Sequence, residues 1–199
     1  MALFVLGLVL FLACHSVRIV SEDWRTAMQT RLGEKAYKGI YSLASIVGFV
    51  LLVYGFGLVR WDSPMLWAPP MAMRHIAVLL MLVSMVLLVA TYVPNNAFKA
   101  RLHHPMILSV KVWALAHLLA NGRVADVILF GAFLVWAVLD FRAARQRDRR
   151  AAEAVQEALP EEAPVVSNNG RVVLIGVVVW LALLMGGHTW LFGVSPIGL

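Results

Sequence analysis

The chain has 199 residues, of which 61% are apolar and only 14% charged, against about half and a quarter in a soluble globular domain. With a mean hydropathy of +0.81 and apolar runs recurring along its length, it reads as an all-α polytopic membrane bundle, and a water-soluble fold is excluded. The net charge of +6 comes from basic residues placed between the apolar runs, which assigns it to topology and to anionic lipid headgroups, with no nucleic acid as partner.

Six transmembrane helices are expected, at Ala2 to Val20, Gly39 to Val59, Ile76 to Val93, Met106 to Ala120, Val124 to Leu139 and Val172 to Phe192, forming one domain over 1–199. No Lys or Arg precedes Arg18, so the first is expected to be a retained helix and not a cleaved secretory signal. The same missing basic start argues against a lipoprotein site at Phe11-Leu12-Ala13-Cys14. The stretch Ser21 to Lys38 sets Trp24, Met28 and Leu32 at helical spacing among Arg25, Arg31 and Lys35, the pattern of an amphipathic helix on the inner surface. Arg60 to Arg74, with Trp61, Trp67, Pro64, Pro69 and Pro70, reads as an outer loop whose indoles suit the headgroup layer.

Pro105 suits the first turn of the fourth span, and Asn121-Gly122 suits a hairpin to the fifth. Both of these spans are short for a hydrocarbon core about 30 Å thick. Arg142 to Gly170 is expected to be a frayed helical extension and then a flexible cytoplasmic linker, about 142–170, with no chemistry. No sequence repeat relates the two halves, which disfavours an inverted-repeat transporter. The single Cys14 excludes an intramolecular disulfide and any Cys-rich metal site. Placing the N-terminus outside puts fourteen of the 17 Lys and Arg on the inner side and leaves Arg60, Arg74 and Arg123 outside. Both termini are then outside.

An ionisable group within a span has no partner in hydrocarbon and is a functional candidate for that reason. His15, His117 and His188 each fall inside an apolar helix, while His103, His104 and His75 fall at span ends. A lone buried histidine can simply donate to a backbone carbonyl. Several in one small bundle point to a metal or cofactor. At ~1.5 Å per residue, His15 lies about 8 Å in from Val20 and His117 about 9 Å in from Lys111, if that lysine marks the inner surface. Depth therefore pairs His15 with His117 inside and His75 with His188 outside, with His104 open between helix entry and a site. Zinc would want four ligands, often thiolate or carboxylate. Haem asks for two axial imidazoles and an apolar slot, and Met106, Val110, Trp113 and Ala114 share the helix face of His117. Ordinary helix packing explains the same face equally well. Arg18, three residues after His15, could offset a haem propionate or a lipid phosphate.

The residues Cys14-His15-Ser16, Arg18, Leu32-Gly33-Glu34, Tyr37, Tyr41-Ser42-Leu43, His104-Pro105, Trp113-Ala114-Leu115-Ala116-His117-Leu118-Leu119-Ala120-Asn121-Gly122 and Gly187-His188-Thr189-Trp190 together resemble the NnrU membrane-protein family. The resemblance implies a bacterial inner-membrane protein with periplasmic termini, associated with denitrification and the nitrite and nitric oxide reductase systems. It also implies kinship with the plastid 15-cis-ζ-carotene isomerase, a haem b protein with two histidine ligands, which fall here on His15 and His117. The plant isomerases carry a cysteine three positions before the second histidine, where this chain has Ala114. Three functions follow: a haem b protein serving nitrogen-oxide respiration by electron transfer or nitric oxide handling, a haem-dependent polyene isomerase, and a non-haem assembly factor. Asp126 and Asp140, at the two ends of the fifth span, give a solute-carrier reading little to build on.

Overall fold

A computed structural model describes residues 1–154 and 167–197. The first apolar run forms α1 (Ala2–Val20), which ends at Ser21. Ser21 then caps α2 (Glu22–Leu32), its hydroxyl accepting from the Trp24 N–H at 3.3 Å. The helix expected to run unbroken from Ser21 to Lys38 stops at Gly33, whose φ of 83° lies in the region that favours glycine. Glu34 to Lys38 instead form the start of α3 (Glu34–Val59), where the Lys38 ammonium donates to Glu34 at 2.6 Å. Trp24 and Leu32 of α2 are exposed and Met28 is half-buried.

Beyond a loop, α4 (Met71–Tyr92) begins directly after Pro70, earlier than the expected Ile76. A short α5 (Ala97–Leu102) was not expected from hydropathy; it is capped by the buried Asn96, whose side-chain oxygen accepts from the Lys99 N–H at 2.8 Å. Helix α6 (Pro105–Ala120) starts on its proline as expected. Helix α7 (Val124–Ala154) continues well past the end of its apolar part without the expected fraying. Residues 155–166 of the segment expected to be a linker lie outside the described residues. Helix α8 (Asn169–Ala182) runs through a π-helical turn (Leu183–Gly187) into α9 (His188–Phe192). Helices α1, α3, α4, α7 and the α8 to α9 run are long and apolar enough to cross a bilayer, while the 16-residue α6 is apolar but shorter. The protein is an all-α membrane bundle.

Lipid tails are as apolar as leucine, so these helices associate through close packing and interhelical hydrogen bonds. Neighbours follow the order α3, α1, α7, α6, α4, α8, which places α7 between α1 and α6. Antiparallel α1 and α3 touch backbone to backbone. A Cβ on Gly7 would meet the Leu52 N–H, one on Gly55 the Phe4 N–H, and one on Gly48 would lie 2.8 Å from Phe11 N. Around this contact Phe4, Leu8 and Leu52 pack against Ala125, Leu129 and Phe130 of α7. Helices α4 and α6 are joined by a buried reciprocal pair, the Ser84 hydroxyl donating to the Ser109 carbonyl and the Ser109 hydroxyl to the Ser84 carbonyl, each at 2.9 Å. The Trp180 indole N–H donates to the Val78 carbonyl at 2.9 Å and ties α8 to α4.

The loop after α3 grips the α6 to α7 turn. The Leu66 N–H donates to the Gly122 carbonyl at 2.7 Å and the Val124 N–H to the Pro64 carbonyl at 2.9 Å. The Arg123 guanidinium donates to the carbonyls of Trp61 and Ser63 at 2.8 and 2.9 Å. This is the loop end of the bundle; the opposite, basic end carries α2, α5 and the arginine-rich part of α7.

Two stability outcomes follow from these contacts. Gly55→Ala drives a methyl into the Phe4 backbone and should cost about 1–3 kcal/mol, read as a lower melting temperature in detergent. Gly57→Ala, which meets nothing within 4 Å, should melt like the wild type. Removing either hydroxyl of the Ser84/Ser109 pair should cost about 0.6–1.7 kcal/mol, and a double-mutant cycle should show the two losses to be coupled.

Candidate functional site

Near the loop end a cavity of about 250 Å³ opens between α4, α6 and α8. It exists because small residues face each other there: Ala77 on α4, and Ala116 and Ala120 one turn apart on α6. Val78 and Met81 continue the α4 wall, Trp180 and Leu184 close the α8 side, and Arg74 contributes a guanidinium. Two histidines, His117 and His188, complete the lining.

Their positions have different origins. His117 is part of the regular turn of α6 and is backed by Trp113 at 5.0 Å and by Phe130 of α7 at 4.6 Å between ring centroids. His188 is delivered by the π-helical turn, an extra-residue distortion that often marks functional places. Within that turn Gly186 has φ 136°, ψ −19°, which side chains rarely adopt, and a Cβ on Gly187 would sit 2.7 Å from the Ala182 carbonyl oxygen. The chain then turns at Gly193 (φ 70°), and Val194 to Pro196 fold back over the cavity.

Both imidazoles have their tautomer set by a carbonyl. His117 Nδ1 lies 2.8 Å from the Trp113 oxygen and His188 Nδ1 lies 2.7 Å from the Val194 oxygen. A carbonyl only accepts, so each Nδ1 carries a proton, and in the neutral form of either ring Nε2 is the nitrogen with the lone pair. The two rings stand 6.4 Å apart between centroids, inclined by 29°. Among the described residues no three His, Cys, Asp or Glu side chains converge on a metal-sized site. The cavity therefore presents two imidazoles, a mostly apolar lining and the Arg74 guanidinium.

The other expected site residues lie elsewhere. His15 is not beside His117: its ring neighbours are Phe11 at 4.2 Å, Tyr41 at 5.6 Å and Trp136 at 6.1 Å, and α7 stands between the two helices. Measured along α7, His15 sits level with Trp136 and His117 with Phe130, six residues or about 9 Å nearer the loop end. The depth estimate fails on Lys111, whose ammonium lies 4.5 Å over the Phe141 ring. Phe141 is eleven residues from Phe130 along α7, about 16 Å, while Lys111 is only six from His117; the side chain's own length covers the difference.

His75 is exposed on the first turn of α4, and its neighbour Arg74 reaches the cavity in its place. His104 precedes α6 and donates through Nε2 to Asp148 at 2.9 Å, with Arg145 adding a second contact at 3.4 Å. Slight burial raises the Asp148 pKa, but the His104 hydrogen bond and the charges of His104, His103 and Arg145 outweigh it and hold the carboxyl below its ordinary value. Arg18 donates to Glu22 at 3.0 Å, and Arg147 approaches the same carboxylate at 3.9 Å. Trp113 backs His117, whereas Ala114 is fully buried away from the cavity wall. The contribution of Arg74 and of the kink was missed; Gly186-Gly187 directly before a histidine, inside an apolar span, was the signal available.

The sequence model of the NnrU protein family matches residues 3–196. No curated protein and no solved structure shows a significant match. The family match covers all six apolar runs and every residue of the two-histidine cavity, and the chain belongs to the NnrU protein family.

Proposed function

We propose that the protein is a haem b-binding protein of the bacterial inner membrane, in which His117 and His188 would hold the group, and that it supports denitrification by electron transfer or nitric oxide handling. The observation that carries this reading is the pair of imidazoles lining one cavity with both Nδ1 protons committed to carbonyls. Such an outer hydrogen bond orients a ligating imidazole and raises its basicity. Two histidines are too few for zinc and sufficient for haem. Haem bound there would supply one-electron redox chemistry.

The chain's own residues have separate tasks. Ala77, Ala116 and Ala120 leave room for a flat group, Met81, Trp180 and Leu184 keep water out, and Arg74 offers a partner for a carboxylate such as a haem propionate. The positive-inside rule puts the basic end in the cytoplasm and the cavity in the outer half of the membrane. The role in nitrogen-oxide respiration rests on family membership.

The test is the absorption spectrum of purified protein carrying single substitutions. His117→Ala and His188→Ala should each convert a low-spin spectrum to a high-spin one or lose the haem. His15→Ala should keep the low-spin spectrum, because its imidazole lies across α7. Arg74→Gln should lower haem retention severalfold without changing spin state. If His15→Ala bleaches the protein and His188→Ala leaves it red, the family carry-over onto His15 holds and the cavity pair does not bind the iron.

A further inference from the structure

The basic end of the bundle carries a second hollow, separate from the two-histidine cavity. It measures about 550 Å³ and lies against α7, lined by Phe141, Arg142, Arg145, Gln146 and Arg149. Val135, Leu139, Arg142, Gln146 and Arg149 recur at i, i+4, i+7, i+11 and i+14, so they share one side of that helix. Val135 and Leu139 are 60% and 47% exposed, which marks this as the side that α7 turns to lipid. Arg147, by contrast, lies on another side and approaches Glu22 of α2 at 3.9 Å.

Depth decides what reaches these arginines. Taking Val124 as one edge of the hydrocarbon, Leu139 lies about 22 Å and Arg142 about 27 Å along the helix, close to the far edge of a core about 30 Å thick. The lipid-facing side of α7 therefore changes from aliphatic to guanidinium where lipid phosphates begin. Arg145 is held by Asp148 at 3.4 Å, while Arg142 and Arg149 make no ion pair among the described residues. The Lys111 ammonium of α6, 4.5 Å over the Phe141 ring, adds a further cation beside the hollow. An acidic protein would answer these charges but not the apolar residues next to them. A phospholipid supplies both, acyl chains for Val135 and Leu139 and a phosphate for the guanidiniums.

We propose that this face of α7 is a binding site for an anionic phospholipid of the leaflet at the basic end. Arg142 and Arg149 stand seven residues or about 10 Å apart along the helix, and their long side chains converge on one head group, donating to its phosphate oxygens. Gln146, between them on the same side, donates to the ester oxygens, and the acyl chains run along Leu139 and Val135. This site goes beyond the haem reading and does not depend on it.

The test is native mass spectrometry of the whole protein released from detergent micelles, with dioleoyl phosphatidylglycerol as the probe and dioleoyl phosphatidylcholine as the neutral reference. One phosphatidylglycerol per chain should bind in preference to phosphatidylcholine. Arg142→Gln and Arg149→Gln should each weaken that binding about fivefold, the worth of one arginine at a charged leaflet. Arg31→Gln and Lys35→Gln remove the same charge from exposed positions elsewhere at the basic end and should leave it unchanged. All four variants alter exposed side chains and should elute like the wild type on gel filtration. Inorganic phosphate, which has the charge but no chains, should not displace the lipid. Equal retention of the two lipids, full affinity in the Arg142 and Arg149 variants, equal losses in the Arg31 and Lys35 variants, or displacement by inorganic phosphate overturns the proposal. Because none of these readouts involves iron, failure of lipid binding leaves the haem reading standing, and failure of haem loading leaves the lipid site standing.

Discussion

Each histidine within a span meets the same demand of a waterless solvent in the same way, by giving its Nδ1 proton to a backbone carbonyl. His15 uses Phe11 at 2.7 Å, His117 uses Trp113 at 2.8 Å, and His188 uses Val194 at 2.7 Å. In water that bond would be worth little, but a buried N–H with no partner is expensive. Once made, it selects the tautomer of the neutral ring, the one with its lone pair on Nε2. The ligand chemistry of the chain is thus a consequence of satisfying the backbone, and it arises at all three positions whether or not a metal is present.

What differs among the three is the company they keep, and α7 decides that. By standing between α1 and α6 it leaves His15 among Phe11, Tyr41 and Trp136 and leaves His117 to face His188. The two places still share one packed row of rings, from His15 through Phe11 (4.2 Å), Phe133 (5.8 Å) and Trp113 (5.5 Å) to His117 (5.0 Å). Phe133 is the hinge of that row, touching α1 on one side and α6 on the other.

Hydropathy made the spans legible because burial in lipid is a property of composition, and the proline at the start of α6 carries its own local geometry. Gly33 was equally visible but was read as part of one helix, since a stripe of Trp24, Met28 and Leu32 says nothing about the backbone angle that follows it. Within the site the errors share a cause. Counting residues gives the depth of a Cα, whereas Lys111 reaches the basic end with its side chain, so pairing histidines through it brought His15 and His117 falsely level. Likewise His75 drew notice for its chemistry, although Arg74, Ala77, Val78 and Met81 form the i, i+3, i+4, i+7 stripe that a helix would turn to one side. Which stripe faces which helix is a tertiary fact that one sequence does not contain.

The two cavity histidines are not equivalent, and the asymmetry bears on the proposed chemistry. His117 is in mid-bundle, its acceptor one turn back in the same helix, its own carbonyl held by the Asn121 side chain at 2.9 Å and its ring stacked on Phe130. His188 rides on a five-residue helix beyond a π-helical turn, and its acceptor lies six residues ahead, across a bend that needs Gly193 at φ 70°. The same short helix is otherwise tethered by the Arg60 guanidinium, which donates to the Phe192 carbonyl at 3.2 Å. Opening the terminal turn would break the Val194 bond, free the His188 ring and uncover the cavity in one motion, at the cost of a few exposed contacts, whereas moving His117 would require α6 to leave its neighbours. Of the two imidazoles, His188 is therefore the one held by the weaker scaffold.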